Sequence, residues 1–285
     1  MKFKGRIKKL YKYAKALGDD VKRLNMSSFA SSIAFCFLTS LPASIMFLCT
    51  LIKYLPVEIS DVVDLLLDFS SRSLHKMIYD SVNEIYSASD TLLPLTALAT
   101  LFTASLGVMG LIRGLNGVLE IEDKRSIIVV RLWAVLYTLI LISAVVISII
   151  IIGFGRTIME FLNDNIPKIA MLLQKLFFAR YFIIWLLLTV IFDLSYAFLP
   201  AIRQRILWSL PGAALSSLGW CLVTGAFSLY IDIFNGFSIY GSMTLIMVLF
   251  SWFYVCFFIL IMGALLNIKV RQKFGSRRVT SVKVS

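Results

Sequence analysis

The sequence predicts an all-α fold, a polytopic bundle of six transmembrane helices, from its composition and from the length of its apolar stretches. Residues of the AVILMFWYC set make up 59% of the 285 positions, and charged residues make up only 15%. Soluble domains contain about 25% charged residues, so a water-facing surface would be poorly covered here. A membrane-spanning helix needs about 20 mainly apolar residues, and six stretches of the chain reach that length.

The six predicted spans are separated by turn or charge signals. They lie near residues 29–52, 91–112, 131–155, 179–199, 210–234 and 241–268. These stretches are longer and more continuous than the core helices of soluble proteins, and they lack the alternating pattern of a membrane barrel. Without a convincing internal repeat or a low-complexity linker, the chain is interpreted as a single membrane domain over residues 1–285.

The distribution of basic residues predicts that both ends of the chain lie in the cytosol. Twenty-one of the 28 Lys and Arg residues fall in the N-terminal segment, the second and fourth loops and the tail. The other seven fall in the first and third loops. Because positively charged loops stay on the cytoplasmic side, this split predicts an N-in/C-in topology.

Residues 1–24 are predicted to form a basic amphipathic helix, since apolar residues recur there at helical spacing with lysines on the opposite face. Such a helix can also be a target for nucleic acid or a calmodulin-like protein. The first span begins a few residues later, which favours an anchor on the inner leaflet. Anionic lipid head groups are the expected partners of this segment and of the basic tail 269–285, and nucleic acid is not. The segment is also too basic for a cleavable signal peptide.

The loop 53–90 is predicted to carry two short amphipathic helices that cap the outer face of the bundle. Acidic and apolar residues recur there every three or four positions, and Pro56 suits the first turn of the first helix. Asn165 and Pro167 predict a further helix start just before the fourth span.

Four short motifs follow one another along nearly the whole chain. They are Ser32-Ile33-Ala34-Phe35 with Leu38-Thr39-Ser40-Leu41-Pro42, Leu111-Ile112-Arg113-Gly114-Leu115-Asn116 with Glu122 and Arg125, Pro200 with Leu210-Pro211-Gly212-Ala213, and Tyr240-Gly241-Ser242 with Trp252, Gly263-Ala264 and Asn267. No single motif is specific, but their order and spacing resemble the YihY/virulence factor BrkB family of bacterial inner-membrane proteins.

This resemblance implies a six-helix protein embedded in the bacterial inner membrane, and the family has carried an older ribonuclease label. The sequence departs from the family pattern at two positions. Asp193 stands in the fourth span where an apolar residue is expected, and Ala197 stands where the family often has Arg. A function that depends on that Arg is therefore not expected here.

Small residues at helical spacing predict close helix packing in preference to a substrate-lining role. They are Thr103, Gly107, Gly110 and Gly114 in the second span, Gly212, Ser216 and Gly219 in the fifth, and Gly241 at the start of the sixth. Pro42 removes a backbone donor inside the first span and is expected to kink it, with Thr39 or Ser40 helping to satisfy the freed carbonyl groups.

The residues that enzymes and metal sites require are not arranged for chemistry in this sequence. The one histidine, His75, lies in the predicted outer loop without a metal-ligand or triad partner. The four cysteines lie in apolar stretches and are interpreted as packing residues; they are Cys36, Cys49, Cys221 and Cys256. We therefore expect no enzymatic activity, no metal and no cofactor.

Asp193 is the strongest candidate for a functional residue. It lies seven residues before Pro200, about 10 Å inside the cytosolic end of the fourth span, on one helix face with Trp185, Thr189 and Tyr196. Because an ionised Asp is costly in a bilayer, its side chain is expected to point into the bundle. There it either lines a proton-linked or substrate cavity or pairs with a group at the inner end, the candidates being Arg113, Asn116 and Arg131.

Two classes of function remain open. The intramembrane acid and the small residues of the spans slightly favour a transporter or flippase-like protein that handles a lipid or other amphipathic molecule. A non-transporting envelope scaffold is the alternative. A polar cavity that reaches the midplane is expected of the transporter, and a solidly packed bundle of the scaffold.

Reporter fusions truncated after residues 80, 120, 165, 205 and 285 test the predicted topology. Alkaline phosphatase and fluorescent-protein activities should report outside, inside, outside, inside and inside, because positively charged loops stay in the cytosol. A C-terminus on the outside contradicts the six-span topology.

Overall fold

The computed structural model describes residues 15–16, 18–53, 93–153, 180–233 and 242–274, and the regular elements among them are all helices. Six long helices follow one another: α1 Met26–Lys53, α2 Leu93–Val118, α3 Ile127–Gly153, α4 Arg180–Phe198, α5 Ile206–Ile233 and α6 Ser242–Phe274. A helical segment, residues 18–23, precedes α1. The predicted outer-loop helices, the helix start near Asn165, Gly241, most of segment 1–24 and the end of the basic tail lie outside the described residues.

Five of the six helices extend beyond the apolar stretches that were used to predict them. α1 begins at Met26 and not at 29, and α3 begins at Ile127 and not at 131. α2 continues past the predicted end at 112 to Val118, α5 begins at Ile206 and not at 210, and α6 continues past 268 to Phe274. The predictions followed stretches of apolar side chains, which at the ends of α2 and α6 stop before the helix does. Backbone hydrogen bonds continue a helix through polar residues that lie beyond the hydrocarbon region.

Four helices are long and apolar enough to cross a membrane over their described residues. These stretches are Met26–Phe47, Ala97–Val118, Ile206–Tyr230 and Ile246–Gln272. α3 and α4 contribute shorter apolar stretches, Ile127–Ser143 and Trp185–Phe198. Large apolar side chains such as Leu207 and Leu222 are exposed on the helix surfaces, which is typical of helices that face lipid.

The chain groups into two compact units. Unit 1 comprises Met1–Leu38, Gly110–Arg125 and Ile184–Ser285, and unit 2 comprises Thr39–Met109 and Ser126–Ile183. In unit 2, the buried side chains of Phe47, Leu101 and Ile142 form a small apolar core, and Ala97, Val135 and Leu139 pack against it.

Arg131 of unit 2 is held by groups on α2. Its guanidinium lies 3.8 Å from the centre of the Phe102 ring, and Nη2 donates a hydrogen bond of 2.7 Å to the Phe102 carbonyl oxygen. Pro42, also in unit 2, is exposed, and α1 is helical on both sides of it. Near this proline, the Ser44 hydroxyl donates to the carbonyl oxygen of Ser40 at 2.9 Å.

In unit 1, α1 and α2 run antiparallel and approach closely at three glycines. A Cβ atom at Gly110, Gly114 or Gly117 would overlap a side chain of α1, respectively that of Cys36, Ile33 or Phe29. Thr103, which was predicted to share this face, is exposed, and that part of the prediction was wrong. Two crossing helices contact each other over only a few turns. The close contacts of α2 with α1 extend from Gly110 to Gly117.

Three ionic contacts in unit 1 fix the helical segment 18–23. The Nζ atom of Lys269 lies 2.6 Å from Oδ2 of Asp20, and Nη1 of Arg23 donates to Oε1 of Glu120 at 2.9 Å. Arg23 also lies 4.0 Å from Asp20. Asn25 then adopts a left-handed conformation, with φ of 48°, where the chain turns into α1. The start of α1, the end of α2 and the end of α6 are therefore brought to one end of unit 1.

The substitution Gly114→Ala tests the close α1–α2 contact. The added methyl group would overlap Ile33, so we expect a loss of about 1–3 kcal/mol in the free energy of unfolding. The second change Ile33→Val should recover part of that loss, because it removes the overlapping methyl group. Gly225→Ala is the matched control, since a Cβ there meets nothing within 4 Å. Equal stability of the Gly114 and Gly225 variants in detergent unfolding would contradict the contact.

Candidate functional site

A set of buried polar side chains lies where α4, α5 and α6 meet in unit 1. We call it the polar seam; its members are Thr189, Asp193, Tyr196, Ser209, Ser216, Ser217 and Asn267, and each is at most 4% exposed. The surrounding helices are strongly apolar, so these groups must bond to one another or to the backbone.

Asp193 receives its hydrogen bond from the neighbouring helix. The hydroxyl of Ser209, in the first turn of α5, donates to Oδ1 of Asp193 at 2.5 Å. The same hydroxyl lies 3.0 Å from the carbonyl oxygen of Ile206. Among the described residues, Asp193 forms no ion pair, and its side-chain partner is the neutral hydroxyl of Ser209.

Tyr196 joins all three helices one turn further along α4. Its hydroxyl group is 2.6 Å from the carbonyl oxygen of Leu260 on α6 and 2.9 Å from Oγ of Ser216 on α5. Ser216 in turn lies 3.2 Å from the carbonyl oxygen of Ile259. With the phenol donating to Leu260, the Ser216 hydroxyl is left to donate either to the phenol oxygen or to Ile259.

Two glycines allow α5 and α6 to approach until their backbones touch this network. A Cβ at Gly212 would overlap the carbonyl oxygen of Gly263 and the amide of Asn267, and a Cβ at Gly263 would overlap the hydroxyls of Ser216 and Tyr196. The backbone N–H of Gly212 donates to Oδ1 of Asn267 at 2.7 Å. That bond fixes the orientation of the Asn267 amide, whose Nδ2 is buried without an acceptor among the described residues.

Thr189 extends the seam toward the middle of α4. Its Oγ1 lies 2.7 Å from Oγ of Ser217 on α5 and 2.7 Å from the carbonyl oxygen of Trp185. The indole N–H of Trp185 donates to the carbonyl oxygen of Ala214 at 3.3 Å. Trp185, Thr189, Asp193 and Tyr196 of α4 therefore each bond to a group on α5 or α6, whereas the Ser195 hydroxyl donates within α4 to the carbonyl oxygen of Ile191.

An aromatic cluster borders the seam. The Trp220 ring lies 5.3 Å from that of Phe192, 5.8 Å from that of Trp252 and 5.7 Å from that of Phe257. The three pairs have edge-on geometry, which aromatic rings favour. The cluster joins α4, α5 and α6 by apolar contacts.

A second polar group, the arginine clamp, ties the loop after α2 to the turn between α4 and α5. It consists of Asn116, Asp123 and Arg125. Arg125 donates from Nε and Nη2 to the two carboxylate oxygens of Asp123 at 2.8 and 2.7 Å, and Nη2 also reaches the carbonyl oxygen of Leu199 at 3.1 Å. Asn116 donates to Asp123 at 2.9 Å and accepts from the backbone N–H of Ala201 at 2.8 Å.

The Arg125 guanidinium, which hydrogen-bonds to both oxygens of Asp123, lowers the pKa of this carboxyl group below its ordinary value. Partial burial opposes that shift, while the Arg125 backbone N–H and the Asn116 amide reinforce it. The Asp123 carboxylate that holds the clamp therefore stays ionised at a more acidic pH than an ordinary aspartate does.

Comparison with known proteins decides the family. The family model described as Virulence factor BrkB matches residues 18–283. The chain belongs to this family. It is a membrane protein, and the YihY/BrkB resemblance drawn from the sequence motifs is confirmed.

Curated relatives of this BrkB family protein come from several bacteria. A protein of Bacillus subtilis (strain 168) called "Putative ribonuclease-like protein YfkH" is 27% identical over 248 residues, which cover 86% of this chain and 90% of the relative. A "UPF0761 membrane protein" of Pseudoalteromonas translucida is 27% identical and matches 60% of this chain and 56% of its own length. Another of Pasteurella multocida is 30% identical and matches 40% and 34%. No solved structure matches.

The five residues proposed as a cavity set fall in three places. Asp193, Thr189 and Tyr196 lie together in the polar seam, where Asp193 is buried. Arg113 is exposed, and Asn116 is buried in the arginine clamp. Asp193 bonds to Ser209 across the α4–α5 contact and not to Arg113 or Asn116, two of the pairing partners suggested as one alternative; the third, Arg131, belongs to unit 2.

Ser209 and Ser217 were missed as partners of the α4 face. The signal was present in the sequence, since Ser209, Gly212 and Ser216 lie at offsets 0, 3 and 7 and share one face of a helix. Asn267 was noted only as part of a motif. Its contact with Gly212 depends on the packing of α5 on α6, which helical spacing alone does not give.

The substitution Asp123→Asn tests the arginine clamp. Loss of the carboxylate should lower the free energy of unfolding by about 1–2 kcal/mol at neutral pH, since hydrogen bonds to charged groups are the stronger ones. The folded-state pKa of Asp123 lies below the ordinary 3.8, so its contribution is complete above that value and is lost as the pH falls through the lower one. The melting temperatures of the wild type and of Asp123→Asn should therefore converge in strong acid. The exposed neighbour Glu122→Gln is the control, and an equal effect of the two changes at neutral pH would refute the clamp.

Proposed function

We propose that this BrkB family protein crosses the bacterial cytoplasmic membrane six times, with both ends in the cytosol, and moves a lipid or another amphipathic envelope component across it. The polar seam is the observation that carries this proposal. A buried carboxyl group does not by itself stabilise a bundle of apolar helices, because removing the group from water costs free energy. Ionisable groups inside membrane helices commonly mark a path for ions or substrates.

The helix lengths support six crossings. α3 has 27 residues and α4 has 19, which correspond to about 40 and 28 Å at 1.5 Å per residue. The hydrocarbon core is about 30 Å thick. With the four candidate spans of α1, α2, α5 and α6, this gives six helices of sufficient length.

Contacts at one end of unit 1 support the proposed orientation. Asp20 meets Lys269, Arg23 meets Glu120, and Asn116 accepts from Ala201. The segment before α1, the loop after α2, the turn before α5 and the end of α6 thus share one end, as an even number of crossings between them requires. These are also the segments with the excess of basic residues, which favours the cytosolic side.

The chemistry of the seam suits the polar part of an amphipathic molecule. Hydroxyl groups can donate or accept, and Nδ2 of Asn267 is a donor with no acceptor among the described residues. Phosphate and ester oxygens of lipids accept such hydrogen bonds. The close approach of Gly212 and Gly263 gives α5 and α6 a contact whose separation would uncover these groups.

A non-transporting envelope scaffold is the second candidate, and one observation favours it. The hydroxyls of Thr189, Tyr196, Ser216 and Ser217 all have partners inside the protein. A satisfied network of this kind also serves simply to fix helix register. The two candidates differ in whether the seam opens to a lipid or substrate.

Ribonuclease activity is not proposed for this chain. The word in the Bacillus subtilis relative's name describes that protein. The one histidine here lies in the predicted outer loop, and Asp193 lies among hydroxyl groups between membrane helices, away from any nucleic acid in the cytosol.

Reconstitution into vesicles tests the transport proposal. The purified protein is placed in phosphatidylethanolamine and phosphatidylglycerol vesicles that contain tail-labelled fluorescent phosphatidylglycerol. Dithionite bleaches the outer leaflet, so residual fluorescence should fall below that of protein-free vesicles if lipid crosses. Asp193→Asn should lose most of this activity while remaining folded, and Gly225→Ala should retain it because its added Cβ meets nothing within 4 Å.

The same proteins are compared in cells by measuring envelope lipid composition with and without the gene. A change that the wild type restores and Asp193→Asn does not restore supports transport. Vesicles indistinguishable from empty ones, together with unchanged envelope composition, would count against transport and favour the scaffold.

A further inference from the structure

The Ser209 hydroxyl lies within hydrogen-bonding distance of two acceptors, but it has only one hydrogen to donate. Its Oγ lies 2.5 Å from Oδ1 of Asp193 and 3.0 Å from the carbonyl oxygen of Ile206. A serine hydroxyl carries one hydrogen and can also accept. If Asp193 is ionised, Ser209 donates to it and leaves Ile206 to its helical backbone partner. If Asp193 is protonated, the carboxylic acid donates to Ser209, whose hydrogen turns to Ile206.

We propose that Asp193 and Ser209 form a proton-binding site whose protonation reverses the hydrogen bond between α4 and α5. One proton from the aqueous phase forms an O–H bond on the carboxylate, one negative charge is removed, and no other bond is made or broken. On release, the proton returns to water and the Ser209 hydroxyl turns back to the carboxylate. Both forms keep a hydrogen bond across the helix contact.

Among the described residues, the Asp193 carboxyl group has Ser209 as its hydrogen-bond partner and no ionic partner. Tyr196 is committed to Leu260 and Ser216, and Lys269 pairs with Asp20. In the turn between α4 and α5, Arg203 and Arg205 are exposed. Arg125 is bound to Asp123, and Arg113 is exposed. No basic side chain among the described residues lies within salt-bridge distance of Asp193. Cys221 of α5 and Cys256 of α6 are free thiols, and no hydrogen bond links either of them to Asp193 in the described part of the chain.

The use of this site as a coupling element rests on the proposed transport function, but its existence does not. Ser209 lies in the first turn of α5, three residues before Gly212, which contacts Asn267 and Gly263 of α6. A change in the direction of the Asp193–Ser209 bond therefore acts at the start of the α5–α6 contact. This gives protonation a direct mechanical link to the part of the seam proposed to open.

Infrared difference spectroscopy on the full-length protein in lipid tests the site. Spectra at acidic and neutral pH are subtracted for the wild type and for Asp193→Asn. The wild type should show a carboxylic acid C=O band that is lost in the variant. Ser209→Ala should keep the band at a changed frequency, because the hydrogen bond to the acid is lost. Ser44→Ala, which removes a hydroxyl bonded to Ser40 in unit 2, should leave the band unchanged.

Identical difference spectra of the wild type and Asp193→Asn, over the pH range in which both stay folded, would overturn the proposal. A band insensitive to Ser209→Ala would overturn the pairing. If Asp193→Asn does not fold, ¹³C-labelled aspartate in the wild type and in Ser209→Ala supplies the same test.

In the phosphatidylglycerol vesicle assay, lipid movement by the wild type should depend on pH, and lipid movement by Asp193→Asn should not. A titrating band without lipid movement contradicts the transport function alone, and pH-independent movement without the band contradicts this site alone.

Discussion

A polar group buried among apolar membrane helices needs a partner within the protein, and the arrangement of α4, α5 and α6 follows from that constraint. Tyr196 reaches Ser216 and a backbone carbonyl of α6, Asp193 receives the Ser209 hydroxyl, and Asn267 accepts from the backbone of Gly212. Each bond requires the helices to be close, and the glycines 212 and 263 provide that closeness. Lipid cannot replace these partners, so separating the helices would leave several polar groups unsatisfied.

The same constraint explains why the two polar groups of unit 1 differ in composition. The arginine clamp lies at the end of α2 and in the loop that follows it, where the partly exposed side chains of Asp123 and Arg125 form a full ion pair. The polar seam lies between helices and consists of hydroxyls, an amide and a single carboxyl group. Membership of the BrkB family and the match over residues 18–283 place both groups in the matched region. The clamp suits a fixed joint, whereas the seam contains the titratable group that a moving part would need.

The sequence alone predicted the helical class, because long apolar stretches leave little alternative. It also predicted a buried Asp193, because exposing an acid to lipid is costly. The partner of Asp193 could not be found in this way: helical spacing tells which residues share a face, and the choice between Ser209 and an arginine depends on which helix packs there. Likewise, the α2 glycines showed a small-residue face, but only packing showed that contact with α1 involves Gly117 and leaves Thr103 exposed.

The most direct test of the seam is a double-mutant cycle on Tyr196→Phe and Ser216→Ala, measured as unfolding free energies in mixed micelles. The two groups lie 2.9 Å apart on different helices, so their effects should not add. Hydrogen bonds between membrane helices average about 0.6 kcal/mol in such cycles, and a coupling energy of at least about that size is predicted. A parallel cycle of Tyr196→Phe with Ser44→Ala should show no coupling. Additive effects of Tyr196→Phe and Ser216→Ala would contradict the account, because the α4–α5 contact would then not depend on the seam.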